Sequence, residues 1–396
     1  MAEGRVYTTG RLVAPSAAAL PRPRGNSPVN QSPLLEQHRA AGAQFLPGAA
    51  GAVVTFGDVP GEYRAGCEGA ALFDQTTRGS ISVAGADAAA FLHRLLANSV
   101  RTLSAGQGNQ NLLLSARGKI LAVFDLEFSA DDLRLSTEPG EAPGLLRALD
   151  TYLFSERVKW TERTELAAPL DLCGPRAREM AQQLLGVTLP AEERAFLDLP
   201  FAEGRVRAST RIVAGSPGVR LDGGPVLASR LWSGLTDLGA VPAGLAAEDC
   251  LRVEACWAKP GADIDENVYP QEARLERAFS LSKGCYIGQE VVAKIDTYGG
   301  LNKRLTALRI SGDEPVPRGA RLSRLDEGEW RDLGVVTTWG YSFVQDCGMV
   351  LAYVKRRHQA PGTEFRLGDG PLTATVVASP VRQSAVPVSG EFEPAP

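Results

Sequence analysis

Residues 81–96, ISVAGADAAAFLHRLL, combine a strand-like alternation, a glycine and an apolar helix face in one short stretch. Apolar residues alternating with small or polar ones are typical of a half-buried strand. After the glycine, Phe91, Leu92 and Leu95 recur at the spacing of one face of an α-helix. The stretch therefore predicts a strand, a turn at Gly85 and a helix packed on the strand.

The same arrangement returns in residues 170–185, LDLCGPRAREMAQQLL. Gly174 occupies the position of Gly85, and Leu184 and Leu185 repeat the apolar end of the first helix. A repeated strand–glycine–helix unit predicts two related α+β subdomains.

The regions around the repeat have β patterns. Residues 111–114 and 120–128 are apolar runs on either side of a turn with Gly118, which predicts a hairpin. After about Leu301, short apolar runs alternate with Gly and Pro, which is typical of a small antiparallel barrel or sandwich. Strands are predicted there at 305–310, 334–338, 349–354 and 373–377.

These patterns predict an α+β protein with a C-terminal antiparallel β-barrel. We expect the two subdomains at about 32–168 and 169–300, and the barrel at 301–380. Both ends of the chain, 1–31 and 381–396, are rich in small residues and proline and are predicted to be flexible tails.

Composition excludes several classes of function. The 396 residues carry a formal net charge of −4, which gives no global attraction for nucleic acid or anionic lipid. No stretch reaches the roughly 18 apolar residues of a membrane-spanning helix. We therefore expect a monomer without direct nucleic-acid or membrane partners.

Histidine and cysteine are scarce, with three and six residues, and no CxxC pair occurs. This scarcity predicts no resident metal site built from local motifs, and free thiols in a reducing compartment. We expect the cytoplasm. The mitochondrial matrix is the alternative, because residues 1–31 are rich in arginine and poor in acids.

The chemically most informative stretch is KGCYIGQE, residues 283–290. A cysteine in a glycine-flanked turn can be presented at a surface, and Lys283 could favour the thiolate of Cys285 electrostatically. In the competing interpretation, Cys285 packs as a small hydrophobe and Lys283 is solvated.

This run resembles the signature of the YgfZ family of folate-binding proteins, relatives of the glycine cleavage T-protein, an aminomethyltransferase. The resemblance covers roughly residues 32–380. Its other blocks are SPLLEQHRAAGAQF (32–45), an outline match over 69–100, the hairpin turn at Gly118 and Lys119, LRVEA (251–255), DIDENVYPQEA (263–273) and AKIDTYGGLNKRL (293–305).

The resemblance implies a T-protein-like cloverleaf of two α+β subdomains and a barrel around a channel for tetrahydrofolate or a one-carbon derivative. Arg252, in the block that matches the T-protein's LR-EA segment, would be a cation for the glutamate tail of folate. Its alternative is a surface salt bridge with Glu254 or a neighbour. By the same resemblance, Asn98 and Ser99 would lie at the folate.

Two departures from the T-protein pattern bear on function. Ser99 stands where the T-protein has an aspartate after the asparagine, and a neutral hydroxyl cannot supply that negative charge. The T-protein's folate-binding glutamate would fall within residues 215–219, where this chain has none. Both departures favour the YgfZ branch over glycine cleavage.

The first hypothesis is therefore a folate-binding accessory protein that supports iron–sulfur cluster assembly or repair, including in tRNA-modifying enzymes. Its partners would be iron–sulfur enzymes or cluster-assembly proteins. Cys285 would be a thiolate donor, transient ligand or redox centre, tuned by Lys283. The other motif residues would shape the loop or contact a partner: Gly284, Tyr286, Gly288, Gln289 and Glu290.

Two alternatives stay open. A folate-dependent aminomethyl- or methyltransferase would need an acid near the folate, for which Asp125, Asp263 and Glu254 are candidates. A protein that binds folate only as a structural or sensing ligand would not need Cys285.

Overall fold

The structure, a computed structural model, describes residues 31–47, 51–130, 132–326, 328–383 and 385. Most of the two predicted tails, residues 1–30 and 386–396, lies outside the described residues.

The described residues form eight α-helices and nineteen strands. The helices are α1 (Leu35–Ala40), α2 (Val59–Glu68), α3 (Ala88–Leu95), α4 (Ala142–Asp150), α5 (Ala177–Leu185), α6 (Gly224–Asp237), α7 (Leu245–Ala255) and α8 (Gln289–Tyr298). None of the helices in these ranges is long and apolar enough to cross a membrane.

The strands of the N-terminal half are β1 (Gln44–Phe45), β2 (Val53–Thr55), β3 (Ala71–Asp74), β4 (Gly79–Ala84), β5 (Gln107–Leu114), β6 (Ile120–Phe128), β7 (Leu133–Thr137), β8 (Lys159–Glu162), β9 (Pro169–Cys173) and β10 (Phe196–Phe201). Those that follow are β11 (Gly204–Val213), β12 (Ser216–Asp222), β13 (Val241–Ala243), β14 (Lys303–Ile310), β15 (Arg321–Asp326), β16 (Glu329–Ser342), β17 (Cys347–Lys355), β18 (Glu364–Leu367) and β19 (Thr373–Val376).

The first large sheet is antiparallel and has the strand order β5-β6-β7-β4-β8. Side chains of α3 and α4, including Phe91 and Leu145, share a buried core with Ile81 and Leu113 of the sheet. The predicted hairpin is confirmed as β5 and β6, and Gly118 in its turn has a φ of 72°.

The second large sheet has the order β10-β11-β12-β9-β3-β13 and is antiparallel except for the β3–β13 pair. Helices α5 and α6 pack on it through residues such as Met180 and Leu231. Strand β3 precedes the whole first sheet in the chain, yet Leu72 pairs with Leu172 of β9. The second sheet therefore contains strands from both sides of the subdomain boundary predicted at 168/169.

Both repeated turns require glycine. Gly85 and Gly174 have φ values of 120° and 127°, which side chains with a Cβ rarely adopt. A Cβ would lie 2.1 Å from the Arg157 carbonyl oxygen at the first position and 2.5 Å from the Gly69 carbonyl oxygen at the second. At both positions of the sequence repeat, the glycine thus lies against the backbone of another segment, where a side chain would not fit.

The C-terminal region is a closed antiparallel barrel of six strands in the order β14-β17-β16-β15-β18-β19. Strand β14 closes it by pairing with both β17 and β19. Apolar side chains such as Leu308, Val350 and Phe365 form its core. The four strands predicted after Leu301 all lie in this barrel.

The chain leaving the barrel is docked where the sequence predicted a flexible tail from 381. Arg382 is only 4% exposed, and its Nη1 lies 2.8 Å from the hydroxyl oxygen of Ser216. Its Nε lies 3.5 Å from the fully buried carboxylate of Glu254. Arg382 is held there because a buried carboxylate favours a nearby cation.

Candidate functional site

The KGCYIGQE motif lies in and just after a loop, residues 277–288, which we call the crossing loop. It is attached along the end of α3: the Ser280 N–H donates to the Ala97 carbonyl at 2.9 Å. The Lys283 ammonium donates to the carbonyl of His93, in the last turn of the helix. A cation at that helix end is also favoured by the helix dipole.

Cys285 is exposed on the crossing loop. Gly284 before it has a φ of 103°, and no atom lies within 4 Å of the position a Cβ would take there. The other described cysteines are buried or half-buried. Packing as a small hydrophobe is therefore wrong for Cys285, whose thiol faces solvent.

Tyr286 fixes the loop beside the thiol. The ring is 7% exposed and belongs to a core with Leu112, Ile120 and Val292. Burial, together with Asp296, raises the pKa of the Tyr286 hydroxyl to about 12. Tyr286 acts as an anchor of the loop, and it is too buried to meet a partner protein.

The motif ends at the start of α8. Gly288 precedes the helix with a φ of 79°, and a Cβ there would lie 2.5 Å from the Ser115 carbonyl oxygen in the β5–β6 turn. Gln289 is half-buried, and Glu290 is exposed and paired with Lys294 at 2.7 Å. Among Gly288, Gln289 and Glu290, Glu290 has the exposed side chain that a partner protein could contact.

Lys283 interacts electrostatically with Cys285, and His93 interacts with Lys283. Burial, together with Arg101, lowers the pKa of the Lys283 ammonium to about 8. Nδ1 of His93 lies 3.2 Å from the N–H of Val100, and burial and the Lys283 charge lower the pKa of that imidazole. The thiol therefore lies beside an amine that changes charge near neutral pH.

We expect the Lys283 amine to titrate near pH 8, more than two units below the roughly 10.4 of a free lysine. The folded state releases this proton at a lower pH than the unfolded state does. The free energy of unfolding therefore increases as pH rises from 8 to about 10.4. NMR of the Lys283 side chain in ¹³C-lysine-labelled protein measures the midpoint, with exposed Lys294 as the control. A Lys283 midpoint above pH 10 would contradict this environment.

A second candidate region is a channel between the two large sheets and the segment after α7. It has a volume of about 100 Å³, and its apolar lining residues include Val213 and Trp257. Its charged lining consists of Arg78, Asp125, Glu138, Asp171, Arg194, Arg211, Arg220, Glu248, Arg252 and Lys259.

Asp125 in this channel is neutralised by arginines. Its carboxylate oxygens lie 2.8 Å from Arg194 and 2.6 Å from Arg211. Burial alone would raise the pKa of Asp125, but the surrounding guanidinium groups outweigh burial and hold that pKa well below its usual range. Asp125 is thus a stable anion and a poor proton acceptor.

Arg252 is also satisfied within the protein. It is 1% exposed, with Nη1 2.8 Å from Asp263 and Nη2 2.6 Å from Asp249. The alternative of a salt bridge with Glu254 or a neighbour is right for the neighbour Asp249, but Arg252 is buried and not at the surface. Glu254 binds Tyr63, Ser342 and Arg382 instead. The donors of Arg252 that would meet a folate tail already have acceptors.

Asn98 connects the channel to the crossing loop. Its Nδ2 donates to the carbonyls of Gln110, which lines the channel, and of Arg277, both at 3.0 Å. The neighbouring Ser99 hydroxyl is buried and has no hydrogen-bond partner in the part of the chain that the structure describes. Asn98 is thus hydrogen-bonded to the crossing loop, which carries Lys283 and Cys285. Arg252 lies on α7 and lines the channel.

Sequence reasoning missed the buried ion pairs between the sheets. Arg207 binds Glu127 at 2.9 Å, and Arg211 binds the same carboxylate at 2.6 Å. The signal was present: Arg207, Ser209 and Arg211 alternate along β11, which places their side chains on one face.

Residues 34–283 match the model of the family described as the GCVT N-terminal domain. This chain belongs to the GCVT family. The likeness to aminomethyltransferases expected from the sequence is confirmed at this level, and the YgfZ branch remains a prediction.

Other GCVT-type proteins match over most of their length. An aminomethyltransferase of Herpetosiphon aurantiacus is 28% identical over 357 residues, which cover 89% of this chain and 98% of that protein. A putative chloroplastic transferase of Arabidopsis thaliana is 23% identical and covers 76% of this chain and 69% of its own. The crystal structure of the Bartonella henselae aminomethyltransferase T matches with a TM-score of 0.79 at 24% identity, covering 90% and 99% of the two chains. This match confirms the predicted fold.

GCVT-type aminomethyltransferases use tetrahydrofolate as their one-carbon carrier. The residue types of the channel suit such a ligand: Trp257 presents a flat apolar surface, and Gln75 and Gln110 present amides to a hydrogen-bonding ring edge. The described residues contain no group of three or more His, Cys, Asp or Glu suited to a metal ion.

Proposed function

We propose that the protein is a tetrahydrofolate-binding accessory factor of the YgfZ branch of the GCVT family, supporting iron–sulfur cluster assembly or repair, including in tRNA-modifying enzymes. The observation that carries this proposal is the exposed Cys285 thiol on a loop held by Tyr286 and Gly288. A rigidly presented thiol beside a cationic amine suits contact with a protein partner.

Cys285 acts as a thiolate ligand to a cluster that a partner also holds. Below about pH 8 the Lys283 ammonium is positively charged. One thiolate is one ligand where an iron–sulfur cluster takes about four. The cluster is therefore cargo shared with an iron–sulfur enzyme or assembly protein, and this chain is expected to work as a monomer.

Folate binds at the channel, whose volume of about 100 Å³ encloses only part of the molecule. Trp257 packs against its ring system, and the amides of Gln75 and Gln110 pair with its polar edge. Bound tetrahydrofolate supplies a carrier for one-carbon units. Asn98, which is bonded to Gln110 and to Arg277, joins this ligand site to the crossing loop.

Aminomethyl transfer is the second candidate, favoured by the names of the relatives. It needs an anion where positive charge develops, and Ser99 supplies only a neutral hydroxyl. Asp125 and Asp263 are already held by arginines. These contacts support the accessory function over the transferase.

The test compares wild type with Cys285→Ala and the matched control Cys347→Ala, whose thiol is half-buried in the barrel. We expect all three proteins to bind tetrahydrofolate equally in a calorimetric titration. In a strain lacking the protein, wild type and Cys347→Ala should restore iron–sulfur enzyme activity. Cys285→Ala should not restore it, because this variant lacks the thiolate that binds the cluster.

Rescue by Cys285→Ala would overturn the role of the thiol. The purified wild type is also assayed for aminomethyl transfer to tetrahydrofolate, and turnover at the rate of a T-protein would favour the second candidate.

A further inference from the structure

Arg220 is a buried cation with one donor to spare. It is 8% exposed, and its Nε and Nη2 bind the two oxygens of Asp171 at 2.7 Å each. Its Nη1 has no hydrogen-bond acceptor in the described ranges, since the Asp125 oxygen lies 3.6 Å away. That separation exceeds a hydrogen bond, so Arg220, which lines the channel, carries a buried N–H donor without a partner.

Arg78 presents a second such donor in the same place. Its Nη1 lies 2.5 Å from Glu138, and its buried Nε has no acceptor among the residues described. Both arginines line the channel, and the charges of both act on Asp125. Two guanidinium groups with an unpaired donor therefore line the same channel and act on the same carboxylate.

Buried N–H donors without acceptors are unfavourable, and those of a guanidinium more so. We propose that Arg78 and Arg220 form a carboxylate-binding site in the wall of the channel. A carboxylate suits it because a guanidinium edge matches the two oxygens of a planar anion. The acids Asp125, Glu138 and Asp171 around the site disfavour a doubly charged ligand such as phosphate.

Size limits what enters. The channel's 100 Å³ is below the roughly 300–1,000 Å³ that encloses a whole drug-sized ligand. The site therefore takes one carboxylate end, either of a small free acid or of the glutamate tail of folate. Only the second source rests on the proposed function.

The experiment titrates the full-length protein with sodium acetate and, separately, with p-aminobenzoyl-L-glutamate, at constant ionic strength set by sodium chloride. Calorimetry and the thermal unfolding midpoint report binding, since a ligand of the folded state raises that midpoint. The variants are Arg78→Lys and Arg220→Lys, which keep the charge and lose the planar fork. Arg134→Lys is the control, because Arg134 binds Asp222 between the same sheets but does not line the channel.

We expect at least one probe to bind, at least tenfold more weakly to Arg78→Lys and Arg220→Lys and unchanged to Arg134→Lys. Binding of acetate assigns a free small acid; binding of p-aminobenzoyl-L-glutamate alone, displaced by tetrahydrofolate, assigns the folate tail. Should Arg220→Lys fail to fold, the double variant Arg220→Leu/Asp171→Leu removes both partners and is titrated in its place.

Three results would overturn the site: no binding of either probe by wild type, equal binding by sodium phosphate, or unchanged binding in both channel variants. Cys285→Ala should bind the probes as wild type does. If Cys285→Ala fails to restore iron–sulfur enzyme activity but still binds the probes, the result bears on the role of the thiol and not on the carboxylate-binding site.

Discussion

Replacing Asp125 with asparagine is expected to lower the free energy of unfolding by about 3–5 kcal/mol, the usual cost of removing one partner from a buried ion pair. The carboxylate lies 2.8 Å from Arg194 and 2.6 Å from Arg211, and both arginines are buried. Asparagine keeps the shape but leaves those positive charges without their shared counterion. Urea unfolding of both proteins measures the difference.

The control for this substitution is Asp87→Asn. Asp87 binds Arg157 at 3.1 Å at the surface, where water replaces the lost interaction. If Asp125→Asn were as stable as Asp87→Asn, the arginines would not depend on this carboxylate.

The same carboxylate predicts an acid dependence of stability. The pKa of folded Asp125 lies below its unfolded value of about 3.9, so its stabilisation is complete above about pH 5. This stabilisation is lost as pH falls below about 4, because Asp125 is then protonated in the unfolded state but stays ionised in the folded state. Asp125→Asn should lose less stability than wild type over that interval.

Gly288→Ala is expected to lower the free energy of unfolding by about 2–4 kcal/mol, the sum of left-handed strain and overpacking. The φ of 79° is unfavourable for alanine, and its Cβ would lie 2.5 Å from the Ser115 carbonyl oxygen and 2.9 Å from the Gly118 Cα. Both atoms are backbone, so neither can rotate away. Urea unfolding gives the cost, and the rate of Cys285 alkylation shows whether the crossing loop has come loose.

Gly300→Ala is the matched control for Gly288→Ala. Gly300 lies just beyond the other end of α8, and a Cβ there would meet no atom within 4 Å. We expect a change within about 0.5 kcal/mol, as for ordinary surface substitutions. Equal stability of the two variants would show that the loop does not depend on the close approach at Gly288.

The sequence predicted features that depend on neighbours along the chain. The strand–glycine–helix units at Gly85 and Gly174 were visible because periodicity and a required glycine are local signals. The pairing of β3 with β9 was not visible, because strand periodicity says which face is buried and not which strand lies alongside.

Charge partners were the hardest part of the site to predict. The sequence offered Arg252 as a free cation, but in the fold Asp249 and Asp263 take its donors. Cys285 was easier, because flanking glycines mark a turn at the surface. The buried hydroxyl of Ser99 follows from packing, which residue type alone does not reveal.

The open sheets and the barrel differ in how they resist aggregation. The barrel has no free edge, because β14 pairs on both sides. The second sheet ends in β10 and β13, and these strands contain Pro200 and Pro242. Proline cannot donate to a neighbouring strand, so these edges are poor templates for another chain, which favours a protein that stays dispersed at high concentration.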